Sequence, residues 1–175
     1  PPPPLPGDST FSATVNIDEF GDQVDVILTT AGLLAQDIDG TTVELLSMVA
    51  VDGLGIFSTT LSFWLDPRQT GGPGTYNFGS PDAVVLDFQA EAFMTFITPG
   101  IVDADSGAPT GFVGDSGTLT IDVYNTAPGE RLAGSFNVSV HGDQITGIDA
   151  EGEEIIRERR GTINGRFDVR IQEAQ

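Results

Sequence analysis

The chain has 175 residues, of which 39% are hydrophobic, and its 26 acidic and seven basic residues give a net charge of −19. That length suits one domain with a proper core, and the hydrophobic fraction excludes a disordered acidic tail. The charge argues against nucleic acid as a partner, and no apolar run reaches the roughly 20 residues that a membrane-spanning helix needs.

Cysteine and lysine are both absent, so disulfides, thiolate chemistry and most zinc sites are excluded. Residues 1–130 carry 18 acids and one arginine, whereas residues 131–175 carry eight acids and six arginines. An acidic, lysine-free surface fits a saline or calcium-containing exterior, where salt screens self-repulsion, and it equally fits a genome that favours arginine codons. We expect an extracellular or cell-surface location.

The N-terminal segment divides into two parts. Residues 1–8 are a proline-rich extension with polyproline II character, which offers few backbone donors. Residues 9–17 alternate as a strand with one apolar face, which must be buried by the chain's own sheet or by a neighbour's. We expect it to serve as an inter-subunit donor strand through its inward residues Phe11, Ala13, Val15 and Ile17.

The middle of the chain predicts further strands. "TTVELLSMVAV" is read as a strand, with a short helix capped by Thr41 or Thr42 as the alternative, and "IFSTTLSFWL" is a strand. "DAVVLDFQAEAFMTFIT" is one bent strand or two short ones. "PGIVDADSGAPTGFVGD" is expected to be the longest irregular stretch.

The final third alternates most cleanly, in "SGTLTIDVYN", "RLAGSFNVSVHG" and "GTINGRFDVRIQ", and this indicates antiparallel strands with one wet face. Gly134 and Gly165 mark small positions where bulges or close packing are expected. The predicted fold is all-β: an antiparallel β-sandwich, jelly-roll-like or a flattened barrel, of about ten strands. Residues 9–175 form its single domain after the proline-rich extension.

The run "GDSGTLTIDVYN…RLAGSFNVSV…GTINGRFDV" resembles the C-terminal half of secreted β-domains found in Bacteroidota lipoproteins of unknown function. The resemblance covers about residues 112–171, and "GGPGTYNF" is similar to the turn that precedes that half. It implies a β-domain on the cell surface, with the proline-rich start acting as a spacer after a lipid anchor upstream. It implies no activity.

No catalytic set stands out. His141 is the single histidine, and strand parity places it on the wet face at the end of a strand, before a Gly-Asp turn. Asp87 and Glu91 share one strand face about 13 Å apart, which is too far for a glycosidase pair. We therefore expect a protein that is not an enzyme.

Three features indicate binding. Asp103, Asp105 and Ser106 place short oxygen ligands on one glycine-containing loop, which predicts a Ca²⁺ site, although solvated acidic loops have the same composition. Trp64 falls on a polar strand face, where it would stack on a glycan, or it is tucked beneath a loop. Asn137 begins an Asn-Val-Ser sequon and is a candidate glycosylation site.

The segment "EGEEIIRERRGT" gathers Arg157, Arg159 and Arg160 after several glutamates. It is either a solvated hairpin tip or a cationic patch that docks on the acidic body of another copy. Two functions remain. The first is a structural subunit of a cell-surface assembly or fibre that self-associates through its N-terminal strand. The alternative is a lipoprotein-type binding module for glycan or calcium.

Overall fold

The computed structural model describes residues 9–25, 28–38, 41–52, 59–65, 71–79 and 91–172. Within these residues the regular structure is entirely strand, with no helix, which confirms the all-β prediction. The strands are β1 (Thr10–Ile17), β2 (Phe20–Asp25), β3 (Leu28–Ile38), β4 (Thr41–Asp52), β5 (Thr59–Leu65), β6 (Gly74–Gly79), β7 (Ala92–Val102), β8 (Pro109–Val123), β9 (Arg131–Ile148) and β10 (Glu154–Arg170).

Hydrogen bonds join these strands into one mixed sheet with the order β2-β1-β10-β9-β8-β6-β7-β5-β4-β3. All pairings are antiparallel except a single parallel bridge between β6 and β7, which both lie along β8. The sheet is not closed into a barrel: β2 and β3 are its edges among the described strands. The sandwich arrangement stays a prediction, because every described strand belongs to this one sheet.

The sheet nevertheless curls. β2 and β7 are far apart in the strand order, yet a β-carbon placed on Gly100 of β7 would lie 2.7 Å from Cζ of Phe20 in β2. β3 likewise contacts β10. The curvature brings the apolar side chains of distant strands together in one core, to which Met48 of β4 and Val15 of β1 both belong.

Strand β1 lies inside this sheet. Its residues pair with β10, from Thr10 opposite Asp168 to Ile17 opposite Gly161, and its other edge pairs with β2. The predicted inward residues are at most 5% exposed: Phe11, Ala13, Val15 and Ile17. The chain's own sheet thus buries the apolar face, and the donor-strand role stays a prediction about an assembly.

The residues of "TTVELLSMVAV" lie in strand β4, as predicted, and each of them, from Thr41 to Val51, pairs with a residue of β3. The prediction that residues 99–115 form a long irregular stretch was wrong. Strand β7 continues to Val102 and β8 begins at Pro109, so only residues 103–108 form a loop. Proline is tolerated at the first position of a strand, where its missing donor is not needed. Phe57 and residues 80–90 of the predicted strands lie outside the described residues.

The Gly-Asp turn expected after His141 was also wrong, because β9 runs through it to Ile148. A β-carbon on Gly142 would lie 2.5 Å from the carbonyl oxygen of Gly111 and 2.9 Å from Cδ1 of Phe112. This glycine therefore accommodates a close approach between neighbouring strands. In a sequence, a glycine that forms a turn cannot be distinguished from a glycine that lets neighbouring strands pack closely.

Candidate functional site

One surface of the sheet is covered by hydroxyl and amide side chains. It spans the five adjacent strands β1, β10, β9, β8 and β6, and consists of their outward positions in three rows. We call this surface the hydroxyl face. Its residues are Ser12, Thr14, Asn16, Thr162, Asn164, Arg166, Ser135, Asn137, Ser139, Ser116, Thr118, Thr120, Thr75 and Asn77.

The central row shows how register builds this surface. Thr14 lies opposite Asn164, which lies opposite Asn137, then Thr118 and finally Asn77. Neighbouring strands lie about 4.8 Å apart, and successive outward residues on one strand are about 7 Å apart. The face is therefore roughly 19 Å wide and 14 Å long, with its polar groups held at fixed spacing.

The charge of this surface differs from that of the molecule. Although the chain carries a net charge of −19, none of the outward positions in the three rows is a carboxylate, and Arg166 is the only charged residue there. A surface without carboxylates is one that a ligand reaches without direct ionic repulsion. Acids do lie around it: Asp115 and Asp168 are at its two ends, and at its β6 side the carboxylate of Glu91 accepts from the backbone N–H of Asn77 over 2.6 Å.

A cleft of about 650 Å³ lies at one end of the face. The residues that line it include Phe11, Phe167, Ser12, Arg166, Asp122, Arg131 and Asp168. Two of these neutralise each other: Nε of Arg131 donates to Oδ1 of Asp168 over 2.9 Å, and its Nη2 donates to the other carboxylate oxygen. The cleft thus offers a ligand Arg166, Asp122 and hydroxyl groups.

The other end of the face carries His141. Its Nδ1 lies 2.5 Å from Oδ1 of Asp115, and Nη1 of Arg160 lies 3.9 Å from the other oxygen. Asp115 reaches this position because β8 has a bulge between Gly114 and Ser116. His141 is therefore half-buried in the middle of a strand, not exposed at its end as expected. Among the described residues no serine hydroxyl hydrogen-bonds to it.

In the loop of the predicted Ca²⁺ site, the first acid, Asp103, accepts hydrogen bonds from other residues of the chain. Oδ1 of Asp103 accepts from the backbone N–H of Ile145 over 2.8 Å and from the Thr110 hydroxyl over 3.3 Å. Asp105 and Ser106 are exposed on the same loop. Within the described residues no group of three His, Cys, Asp or Glu side chains is arranged to hold a metal ion. Calcium binding stays a prediction.

The two residues predicted to contact or carry a glycan, Trp64 and Asn137, lie in different surroundings. Trp64 is half-buried and stacks on Phe93, with ring centroids 4.5 Å apart and planes 17° apart, so that this neighbour takes one of its faces. Asn137 is exposed in the central row of the hydroxyl face, and Ser139 of its sequon is exposed beside it. The structure therefore leaves the sequon accessible.

The arginines of the predicted docking patch contact acids of their own chain. Nε of Arg159, which is only 8% exposed, lies 3.0 Å from Oδ2 of Asp18 in the β1–β2 turn. Arg157 lies 3.7 Å from Glu19 in the same turn, and Arg160 pairs with Glu158 and Asp115. Hydrogen bonding to Glu158 is the main cause that raises the pKa of Arg160 above its ordinary value.

Sequence reasoning missed the hydroxyl face, although its residues lie in strands that were predicted. Each strand shows only its own alternation of polar and apolar residues. The rows become visible once the register is known, because Asn137 and Asn164 are neighbours only if β9 and β10 pair as they do. A common enrichment of the wet positions in Thr, Ser and Asn was the available signal.

No family model, no curated protein and no solved structure matches the chain. The resemblance to Bacteroidota lipoprotein domains therefore stays a prediction. Among the described residues there is no helix with the length and apolar character to cross a membrane.

Proposed function

We propose that this protein is a non-catalytic binding module of the cell surface, which holds a hydroxyl-rich polymer, a glycan, against the hydroxyl face. The observation that carries this proposal is a continuous polar surface whose outward positions hold no carboxylate, on a molecule whose net charge is −19. An acidic protein needs no such surface for solubility, since scattered carboxylates already provide it.

The chemistry of the face suits sugars. Serine and threonine hydroxyls both donate and accept hydrogen bonds, and asparagine offers two donors and a carbonyl acceptor, so the rows match the mixed donors and acceptors of saccharide hydroxyls. The side chains stand on paired strands, which fixes their positions before binding and lowers the entropy cost of ordering them. The cleft beside Arg166 provides a concave place for one sugar unit next to this flat surface.

Affinity electrophoresis through gels that contain soluble polysaccharides tests this function. Thr118 is exposed at the centre of the face, and Thr118→Glu would introduce a carboxylate into the central row. Ala150→Glu adds the same charge at an exposed position of the β9–β10 turn and is the matched control. We expect the wild type and the control to be retarded by the same polysaccharide, and Thr118→Glu to migrate as in an empty gel. The proposal is contradicted if no polysaccharide retards any of the three proteins, or if the wild type and both variants are retarded equally.

A second candidate function, a self-associating structural subunit of a surface assembly, rests on a different observation. The β9–β10 hairpin carries exposed isoleucines near its tip: Ile148 is 46% exposed, Ile155 48% and Ile156 57%. Exposed apolar side chains grouped in one place favour a protein contact. Both functions fit an extracellular chain tethered by a lipid anchor upstream, as the family resemblance implies.

A further inference from the structure

Arg166 differs from Arg157, Arg159 and Arg160 of the same strand in having no acidic partner among the described residues. Arg157, Arg159 and Arg160 each lie within 4 Å of a carboxylate. Arg166 is exposed, and among the described residues it has no ion pair and no side-chain hydrogen bond. Its guanidinium therefore lacks a side-chain partner among these residues, and it lies in the row of the hydroxyl face that also contains Ser12 and Ser135.

The register explains why Arg166 is unpaired. Asp168, two residues further along β10, has both carboxylate oxygens occupied by Arg131, and Asp122, which also lines the cleft, forms no ion pair with Arg166. Across the strands, Arg166 lies between Ser12 of β1 and Ser135 of β9, which are neutral. Arg166 is thus a lining residue of the cleft whose register partners on both sides are serines.

We infer that Arg166 binds an oxyanion of the bound polymer, and that the ligand is therefore an acidic polysaccharide. This inference rests on the proposed function and specifies its ligand. A guanidinium binds a carboxylate or a sulfate through two parallel N–H···O bonds, and the neighbouring serines supply further donors of the kind that a negative group needs. A neutral glycan would use only the hydrogen-bonding capacity of Arg166 and not its charge.

The overall negative charge sets the salt dependence of this contact. At low ionic strength the field of the acidic body reaches about 30 Å and repels a polyanion, whereas at 0.15 M it is screened beyond about 8 Å. The contact to Arg166 itself acts over a few ångströms and is weakened only at higher salt. Binding should therefore be strongest at intermediate ionic strength, which is the opposite of the steady decline shown by a basic polyanion-binding protein.

The test compares three probes on the intact chain: polygalacturonate as a polycarboxylate, dextran sulfate as a polysulfate and dextran as a neutral polymer. The variant is Arg166→Gln, which keeps a hydrogen-bonding side chain and removes the charge. Arg157→Gln, an equal charge change outside the face, is the control. Dissociation constants are measured at 0.15 M salt, and far-UV circular dichroism verifies that both variants remain folded.

We expect the wild type to bind polygalacturonate or dextran sulfate, and the preferred probe identifies the oxyanion as carboxylate or sulfate. Arg166→Gln should weaken this binding by about tenfold or more, the size of a lost charge-assisted hydrogen bond, while Arg157→Gln leaves it unchanged. Equal losses in both variants, or no loss in either, overturn the inference. Binding of dextran alone, unaffected by Arg166→Gln, also overturns it while the proposed glycan-binding function stands. Binding of no polysaccharide in the gels overturns both.

Discussion

The ring of Phe136 covers the α-carbon of Gly165, its direct partner across the β9–β10 pairing, where a β-carbon would lie 2.7 Å from Cζ of the ring. The same relationship recurs in reverse between Phe167 and Gly134. The two Gly-x-Phe segments therefore interlock, and the two rings stack with centroids 6.5 Å apart. Each glycine is required by the aromatic ring of the other segment.

This interlock predicts the effect of Gly165→Ala. The added methyl group would lie 2.7 Å from Cζ of Phe136, 3.0 Å from Cα of Ala13 and closer still to the carbonyl oxygen of Ser12, so that β1 and β10 must separate. We expect the free energy of unfolding in urea to fall by about 1–3 kcal/mol, as for other overpacked cores. Gly111→Ala, where nothing lies within 4 Å, is the control and should be neutral or slightly stabilising. Equal midpoints for the two variants contradict the interlock.

Arg159 and Asp18 form the most buried ion pair among the described residues, with side chains 10% and 31% exposed. Asp18→Asn removes the carboxylate charge while keeping a residue that tolerates the positive φ of 49° at this turn. Because a buried guanidinium is then left without its counter-charge, we expect a loss of about 1–3 kcal/mol in urea denaturation. Glu19→Gln is the control: it disrupts a pair 3.7 Å long whose acid is 83% exposed, and should cost less than about 0.5 kcal/mol. Losses of the same size would contradict this ranking.

Asp103 is expected to act as a loop anchor with or without calcium. Asp103→Ala removes the acceptor of the Ile145 N–H and the Thr110 hydroxyl, and should lower the melting temperature by an amount equivalent to about 1–2 kcal/mol. Asp103→Asn keeps an acceptor oxygen and should lose less. We expect the same ranking in EDTA and in millimolar calcium. If Asp103, Asp105 and Ser106 instead bind the ion, calcium will raise the melting temperature of the wild type and the effect of the alanine variant will vanish in EDTA.

The exposed isoleucines predict self-association through the hairpin. Replacing Ile148 and Ile156 together by serine removes two apolar side chains worth about 1 kcal/mol each when buried, which should raise a dimer dissociation constant by roughly tenfold or more. Sedimentation equilibrium measures this constant. Ile97→Ser, at a 42% exposed position in β7, serves as the control and should leave it unchanged. A wild type that remains monomeric at high concentration contradicts the second candidate function.

Period-two alternation predicted the strands of the last third, since burial on one face imposes it directly: Leu119 and Ile121 are buried while Thr118 is exposed. Alternation carries no information about which strands pair. The ion pair between Arg159 and Asp18 and the hydrogen bond from Ile145 to Asp103 join residues far apart in the chain, so their roles could not be predicted from local sequence. The same limit applies to the hydroxyl face, which is a property of five aligned strands.

The position of β1 also predicts an order of folding. The hydroxyl of Ser9 accepts from the backbone N–H of Arg170, a partner 161 positions later in the chain. The hairpins β7–β8 and β9–β10 join nearby segments and are expected to form early, whereas β1 has to wait for β10, and such distant pairing slows folding. During that interval the edge of β10 in one molecule is open to the β1 of any other. We therefore expect any exchange of β1 between copies to depend on the competition between closure within one chain and encounter with another, and to increase with protein concentration during refolding.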